Sequence, residues 1–301
     1  MARSTDSFSR ILVPTDFSPA SDQALRQAAV LARAYDLPIH LVHVIAMHGG
    51  DPVEAERQLP DCVPEDLLAV VEERSIERAL SPELGILHVC RDDDLVVMGT
   101  HGHTGLKHVL LGSTAERMVQ LARVPVVTVR PTEQGGRVAS PSKILCPVDF
   151  SSSSTEALDH AADLAKRLDA QLIVAHVVEP VLYPVAYGVP AGSPLINIEE
   201  QAKKGAQEAL APMVAELAAR GVEATSLVES GTASLRITSM VEDHGVDLVV
   251  MATHGLTGFQ HLLLGSTAER VVRRCPVPVL TVKMAPSDET EPSSTKSNAV
   301  T

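Results

Sequence analysis

The chain has 301 residues, of which 45% are apolar and only 2% aromatic, and its formal net charge is −13. The length predicts about two domains of roughly 150 residues each. The negative charge argues against a nucleic-acid backbone as the partner, and the absence of tryptophan argues against stacking platforms for bases. Four scattered cysteines without a CxxC pair argue against a disulfide framework and give no zinc pattern.

The N-terminal segment MARSTDSFSR lacks the apolar core of a secretory signal, and no apolar run in the chain reaches about 18 residues. We therefore expect a soluble, cytoplasmic protein with neither a membrane nor a nucleic acid as partner.

The predicted elements follow one another in an order that occurs twice. The first apolar run, ILVPTDFS at Ile11–Ser18, returns as ILCPVDFS at Ile144–Ser151, and the second run, LVHV, returns as VAHV. A glycine-rich segment begins at Val97 and again at Val250, and its two copies share 17 of 23 positions. A period of about 140 residues is too long for a solenoid unit, so the repeat predicts two whole domains.

We place the first domain at residues 1–131 and the second at 143–284. Residues 132–142 form the predicted linker, because the stretch PTEQGGRVASPS is rich in Gly, Pro and Ser. The polar tail at 285–301, rich in Pro and Ser, is predicted to be disordered.

Short apolar runs alternate with helical patterns in each half. In the second half the predicted strands are KILCPVD, QLIVAHVV, EATSLVES, DLVVMAT and PVPVLTVK, with four helical segments between them. Continuously apolar, β-branched runs are typical of strands covered on both faces, and their alternation with helices predicts a doubly wound, mostly parallel five-stranded sheet. In the first half, SIERAL and PELGILHVCRDDD are assigned to the third strand and third helix. The second half is longer, chiefly in the loop after its second strand and in the following helix.

The glycines of the repeated segment, spaced Gly99-x2-Gly102-x9-Gly112, follow the predicted strand DLVVM. Ligands of such sheets bind beyond the C-terminal strand ends. STAE predicts a capping box, in which the Ser113 hydroxyl bonds the amide three residues on and Glu116 bonds back. Free amides at this helix start attract anions, and glycines let the backbone approach phosphate oxygens. We therefore predict a polyphosphate site; the alternative is an ordinary strand-to-helix turn. The segment is neither a Walker A motif nor GxGxxG.

Asp16 and Asp149 follow the first strand of each half, where a carboxylate can accept hydrogen bonds from ribose hydroxyls. The alternative is a turn-forming Asp ahead of the next helix, which opens in the first half with Ser18 and Pro19. A sugar here and phosphates at the glycines describe a nucleotide, whose base would lie near Val44 and Val177.

The histidines give no metal-ligand pattern, because no carboxylate or cysteine is grouped with them. His43 and His176 are interpreted as histidines at the ends of apolar strands. His101 and His254 either contact phosphate or pack against the loop. No residue is assigned a catalytic role: Asp16 and His101 are the nearby titratable candidates in the first half, and Asp16 is assigned to ribose. The surroundings of Cys90 resemble a solvated helix end.

These motifs resemble a tandem universal stress protein over nearly the whole chain. The resemblance implies two Rossmann-like domains that bind ATP, with or without Mg, and that pair their fifth strands, VPVVTVR and VPVLTVK, as an intramolecular pseudo-dimer; a homodimer of the tandem chain is a further arrangement. It implies first-half ATP contacts at Pro14, Thr15, Asp16, Val44, Gly99, Gly102, Gly112, Ser113 and Thr114. The second-half positions are Pro147, Val148, Asp149, Val177, His254, Gly255, Gly265, Ser266 and Thr267.

The second half departs from the pattern at Ala252, where the first glycine is expected, and at Val148, where the first half has Thr15. The sequence therefore predicts tighter nucleotide binding in the first half. The resemblance implies a stress-response protein that acts as a nucleotide-dependent regulator or protective factor. Two alternatives stay open: a slow ATP hydrolase or phosphotransferase, and a nucleotide-free interaction module.

Overall fold

Ten strands and eight α-helices alternate along the part of the chain that the structure describes. The structure is a computed structural model and describes residues 8–47, 49, 51–100, 111–131, 138–179, 196–254 and 264–283, with the backbone alone for 196–198. The strands are β1 (Arg10–Thr15), β2 (Ile39–Ala46), β3 (Val71–Ala79), β4 (Asp94–Gly99), β5 (Val126–Val129), β6 (Lys143–Pro147), β7 (Gln171–Val178), β8 (Ala224–Ser230), β9 (Leu248–Ala252) and β10 (Val279–Val282). The helices are α1 (Pro19–Tyr35), α2 (Pro52–Asp61), α3 (Pro82–Val89), α4 (Ser113–Leu121), α5 (Ser152–Leu168), α6 (Ile196–Ala219), α7 (Ala233–His244) and α8 (Ser266–Arg274), with a 3-10 turn at Glu65–Leu67.

All ten strands belong to one sheet, in the order β3-β2-β1-β4-β5-β10-β9-β6-β7-β8. Neighbouring strands within each half are parallel. This arrangement confirms the prediction of two doubly wound, five-stranded units. The third strand of the first half begins four residues before the predicted SIERAL, and the third helix forms within PELGILHVCRDDD. The helix that follows the second strand has 10 residues in the first half and 24 in the second, as expected from the longer second half.

The two halves join through β5 and β10, which pair antiparallel with Leu280 opposite Val127. The hydroxyl of Thr128 donates to the carbonyl of Val279 at 3.3 Å, and the hydroxyl of Thr281 donates to the carbonyl of Val126 at 3.0 Å. Both threonines are buried, so the joint satisfies their hydroxyls without water. The predicted pairing of the fifth strands is therefore confirmed, and it covers two sheet edges that would otherwise be exposed.

Side chains that alternate along each strand fill two separate cores, one on each face of the sheet. Ile11 and Val13 belong to the core that also contains residues of α1, α2, α5 and α6, whereas Leu12 belongs to the core beneath α3, α4, α7 and α8. A strand with a core on both faces has no polar side, which explains why the sequence shows continuous apolar runs rather than alternation.

The first helix of each half is capped in the same way. Ser18 and Ser151 are the N-caps of α1 and α5, and each side chain accepts a hydrogen bond from the amide three residues later. Asp36 and Asp169 end these helices in the left-handed conformation, with φ of 55° and 53°. The helices therefore start directly beyond the C-terminal ends of β1 and β6, which fixes the turns that contain Asp16 and Asp149.

Candidate nucleotide site

A cavity of about 350 Å³ opens at the C-terminal ends of β6, β7 and β9, in the second half. This is the sheet edge where doubly wound folds bind their ligands. Among the predicted contacts, Pro147, Val148, Asp149, Val177, His254, Gly265, Ser266 and Thr267 line it. Gly255, like Gly102 and His101 of the first half, lies outside the described residues. The fold thus brings together residues that are more than 100 positions apart in the chain.

The turn after β6 shows the turn-forming role that was one of the two alternatives for its aspartate. Asp149 accepts a hydrogen bond from the amide of Ser151 at 3.1 Å, and Asp16 accepts one from the amide of Ser18 at the same distance. Each of these bonds uses Oδ1, so the predicted turn-forming function is present in both halves. Asp149 also lines the cavity, and its carboxylate therefore lies where a ribose hydroxyl could reach it.

The replacement of Thr15 by Val148 changes the turn more than the cavity. The hydroxyl of Thr15 accepts from the amide of Phe17 at 3.0 Å and donates to the hydroxyl of Ser21 at 3.1 Å. In the second half, the amide of Asp149 donates to the hydroxyl of Ser154 at 3.4 Å. Thr15 therefore supports the backbone of its own turn, which the side chain of Val148 cannot do in the second half.

A phenylalanine with left-handed backbone follows the aspartate in each half. Phe17 has φ of 63° and Phe150 has φ of 64°, a conformation that is uncommon for a bulky residue. Their rings lie 4.5 and 4.6 Å from the imidazoles of His43 and His176. Such outliers concentrate at functional sites, where surrounding contacts overcome the local strain. The sequence gives no direct signal for this conformation, although the stretch DFS occurs in both copies.

His43 and His176 anchor the ends of the second strands, as the sequence analysis expects. The Nδ1 atom of His43 lies 2.8 Å from the carbonyl of Thr15, and Nδ1 of His176 lies 2.8 Å from the carbonyl of Val148. A carbonyl oxygen can only accept, so each Nδ1 carries the proton that it donates. His176 lines the cavity, and its ring is therefore fixed by a backbone bond on one side and by Phe150 on the other.

The N-terminal ends of the two helices that follow the glycine segments differ from the prediction in one respect. Ser113 is the first residue of α4, but its N-cap is Gly112, and no side chain caps the helix; Gly265 has the same position before α8. The predicted capping box is therefore wrong. Its two side chains are placed differently: Ser113 is exposed, and the carboxylate of Glu116 binds Arg273 of the other half.

Gly265 lines the cavity and lies close to Thr253, which directly follows β9. Its amide donates to the carbonyl of Thr253 at 2.8 Å, and a β-carbon at this position would lie 2.9 Å from that same oxygen. The amide of Gly112 makes the equivalent bond to the carbonyl of Thr100, at 2.6 Å. Glycine thus allows α8 to begin beside the strand end, where the first amides of a helix lack partners within the helix itself.

Gly99 and Ala252 occupy equivalent positions with different surroundings. Gly99 is not among the described glycines with positive φ, so backbone strain does not require glycine there. A β-carbon on Gly99 would instead lie 2.8 Å from the backbone carbonyl of Ala20 in α1. The glycine is needed for a close helix–strand contact, whereas Ala252 lines the cavity of the second half.

Several cavity residues have no counterpart among the predicted contacts. They are Ser154, Glu179, Ala233, Ile237, Met251 and Thr253. The Oε1 atom of Glu179 accepts a hydrogen bond from the amide of Ala233 at 3.1 Å, which ties the end of β7 to the start of α7. A signal existed in the sequence, because both residues directly follow predicted strands and must reach the same sheet edge. No repeated motif contains Glu179 or Ala233, because the two halves differ there.

Other reactive groups of the described residues offer little nucleophilic or metal-binding chemistry. Burial raises the pKa of Cys90 to about 12 and that of Cys275 to about 11, so neither thiol is ionised near neutral pH. No cluster of three or more histidine, cysteine or acidic side chains suited to a metal occurs within the described ranges. None of the helices in the described part of the chain combines the length and apolar character required to cross a bilayer.

The geometry thus defines a tandem α/β protein with a ligand cavity at the C-terminal edge of a doubly wound sheet. The model of the universal stress protein family matches residues 7–130 and again 141–283, and the chain belongs to that family. A universal stress protein of Mycolicibacterium smegmatis is 30% identical over 296 residues, covering 91% of this chain and 96% of the relative. A universal stress protein of Methanocaldococcus jannaschii is 37% identical over 141 residues, 47% of this chain and 81% of the relative. The crystal structure of a universal stress protein from Archaeoglobus fulgidus superposes with a TM-score of 0.70 at 24% identity, covering 91% of this chain and 98% of that one.

Proposed function

We propose that this protein binds an adenine nucleotide, ATP in the first instance, and acts in the stress response as a nucleotide-dependent regulator or protective factor. Its two domains correspond in this proposal to residues 1–131 and 143–284, joined by the linker at 132–142. The cytoplasm is the compartment in which we expect it to act.

The observation that carries the proposal is the composition of the second-half cavity. It has an apolar wall for a base, formed in part by Val177, Ile237 and Met251. A carboxylate suited to a sugar, that of Asp149, also lines it. The first residues of α8, Ser266 and Thr267, supply backbone amides for phosphates. Apolar surface, a hydroxyl acceptor and an anion site in one cavity fit a nucleotide better than they fit a simple anion or a purely apolar ligand.

A magnesium ion that arrived with ATP would take most of its ligands from phosphate oxygens and water. This follows because Mg²⁺ usually keeps several waters beside one or two carboxylates and the phosphates of its substrate. Asp149 and Glu179 are the two acidic side chains on the cavity wall.

The proposal is tested with the full chain by calorimetric titration with ATP and GTP, together with mass spectrometry of any nucleotide released on heat denaturation. Asp149→Asn removes the charged sugar acceptor and is expected to weaken ATP binding by at least about tenfold, since a hydrogen bond to a charged group contributes roughly 1.5–3 kcal/mol. Phosphate release is measured in parallel, and we expect binding without sustained turnover.

The matched control is Asp243→Asn, which removes the same charge from an exposed position near the C-terminal end of α7. Its ATP affinity should equal that of the parent chain. Failure of the parent chain to bind or retain any adenine nucleotide would refute the proposal and favour a nucleotide-free interaction module.

A further inference from the structure

The two halves differ where the base of a nucleotide would lie, at the ends of β2 and β7. Val44 and Val177 are equivalent there, since they pair with Glu77 of β3 and Glu229 of β8. Among the described residues, the helix that follows packs on the side chain of Val44 in the first half, whereas in the second half it lines a cavity together with Val177. The difference has an identifiable cause in the turn before the helix and in one residue of its first turn.

The turn is one residue shorter in the second half. Ser81, the N-cap of α3, lies four residues after Glu77, whereas Thr232, the N-cap of α7, lies three residues after Glu229. The shorter turn is made through Gly231, whose φ of 139° is open to glycine but strained for other residues. The two helices consequently leave their strands along different paths.

The first turn of the helix decides how close it comes to the valine. Counted from the N-caps, Gly85 in α3 corresponds to Arg236 in α7. A β-carbon at Gly85 would lie only 2.4 Å from Cγ1 of Val44 and 3.2 Å from Cβ of Ala79, so the backbone of α3 rests directly on Val44. Only glycine permits this contact without displacement of a neighbour.

Arg236 prevents the same approach in the second half. Its side chain turns toward the end of β8, where it pairs with Glu229 and covers Gly231. Glu179 adds a second tie by accepting from the amide of Ala233. The start of α7 is therefore bonded to residues at the ends of β7 and β8, and Val177, Ala233 and Ile237 line the cavity.

We propose that the chain binds one nucleotide tightly, with its base in the second half between Val177 and the start of α7, and that α3 closes the equivalent base position of the first half. This inference rests on the proposed nucleotide function. It reverses the order of affinities that the glycine pattern predicts. A complete phosphate loop contributes little when the base has no space, because tight binding requires a largely preformed pocket for most of the ligand surface.

Photolabelling of the full chain with 8-azido-ATP tests the assignment without any mutation. Peptide mapping is expected to recover the label in peptides from β7 or α7, residues 171–178 or 233–244. Titration with ATP is expected to saturate at about one nucleotide per chain. Label in peptides from β2 or α3, or two equivalent sites in the titration, would overturn the inference while leaving the nucleotide function intact. The complete absence of nucleotide binding would overturn both.

A pair of matched variants provides the second test. Ala233 and Pro82 are the first residues of α7 and α3. Ala233→Phe introduces a ring into the cavity and is expected to weaken ATP binding by at least about tenfold. Pro82→Phe makes the equivalent change in the first half and should leave the affinity within about twofold of the parent. The opposite ranking would overturn the inference. Circular dichroism verifies folding, and Ala233→Leu replaces the larger substitution if Ala233→Phe fails to fold.

Discussion

The guanidinium group of Arg273 in α8 binds the carboxylate of Glu116 in α4, with Nη2 3.0 Å from Oε1 and 3.1 Å from Oε2. The pair crosses the joint between the two halves, and Arg273 also lies 3.2 Å from Glu269 of its own helix. About one third of the Arg273 side chain is exposed, so water weakens the pair without removing it. The glutamate that the sequence suggests for helix capping therefore links the two halves.

Replacing Arg273 by glutamine should lower the free energy of unfolding by about 1 kcal/mol, the upper end of the range for exposed ion pairs. The effect should shrink in high salt because the pair is partly exposed. Urea denaturation at low and high salt measures it. Arg274→Gln, at the exposed neighbouring position, is the control; an equal loss in both variants would contradict a specific role for Arg273.

The strand joint should depend strongly on Leu280. This residue is 3% exposed and lies opposite Val127 of the other half. Leu280→Ala is expected to destabilise the chain by about 2–5 kcal/mol, because it removes buried methyl groups and leaves a cavity. Leu235→Ala removes the same atoms from a side chain that is 52% exposed and should change the stability by less than about 0.5 kcal/mol. Thermal unfolding of both variants distinguishes the two sites.

Gly99 and Ala252 should respond differently to reciprocal changes. Gly99→Ala places a β-carbon 2.8 Å from the backbone of Ala20, and displacing α1 is expected to cost about 1–3 kcal/mol. Ala252→Gly relieves no equivalent clash and should cost about 1 kcal/mol or less, through the greater flexibility of glycine in the unfolded chain. Urea denaturation compares the two. Equal effects would show that the contact between Gly99 and α1 does not determine the residue at this position.

His40 should make the first half sensitive to acid. Its Nδ1 lies 2.7 Å from Nη1 of Arg10, which can only donate, so Nδ1 accepts and Nε2 donates to the hydroxyl of Ser75 at 2.8 Å. Burial lowers the pKa of His40, and the charge of Arg10 lowers it further, although Glu73 acts in the opposite direction.

Because the folded-state pKa lies below the unfolded value near 6.5, the unfolded chain binds the additional proton as the pH falls. Stability should therefore be complete above about pH 7 and should decrease toward pH 5, by at most about 1.4 kcal/mol per pH unit for this one group. His40→Gln, whose amide can both accept and donate, should flatten the slope measured by urea denaturation from pH 7 to 5. The exposed His88→Gln is the control. An unchanged slope in His40→Gln would exclude His40 as the source.

The sequence by itself determined the repeat, the parallel sheet and the sheet edge at which the predicted site residues meet. These follow from local patterns: continuous apolar runs such as that at Ile11–Val13 require cover on both faces, and a parallel strand must end at the same edge as its neighbours. The paired fifth strands followed from the family resemblance. The grouping of Asp149, Val177 and Ser266 around one cavity could likewise be predicted, because each lies near the C-terminal end of a strand or opens a helix.

Tertiary structure alone decided how these parts contact one another. The predicted capping box does not form, because the carboxylate of Glu116 binds Arg273, which lies 157 residues away in the chain. No local pattern contains that contact. The sequence assigns Gly99 to phosphate contact, and the tertiary structure adds a separate requirement, because a β-carbon at this position would meet the backbone of α1. The space beside Val44 and beside Val177 depends on how closely the following helix packs against each valine. Gly85 in α3 and Arg236 in α7 determine that distance, and their effect arises only when the strands and helices are assembled. Spacing specifies which residues reach the edge of a sheet, whereas close-packed contacts between distant segments determine which of them leave room for a ligand.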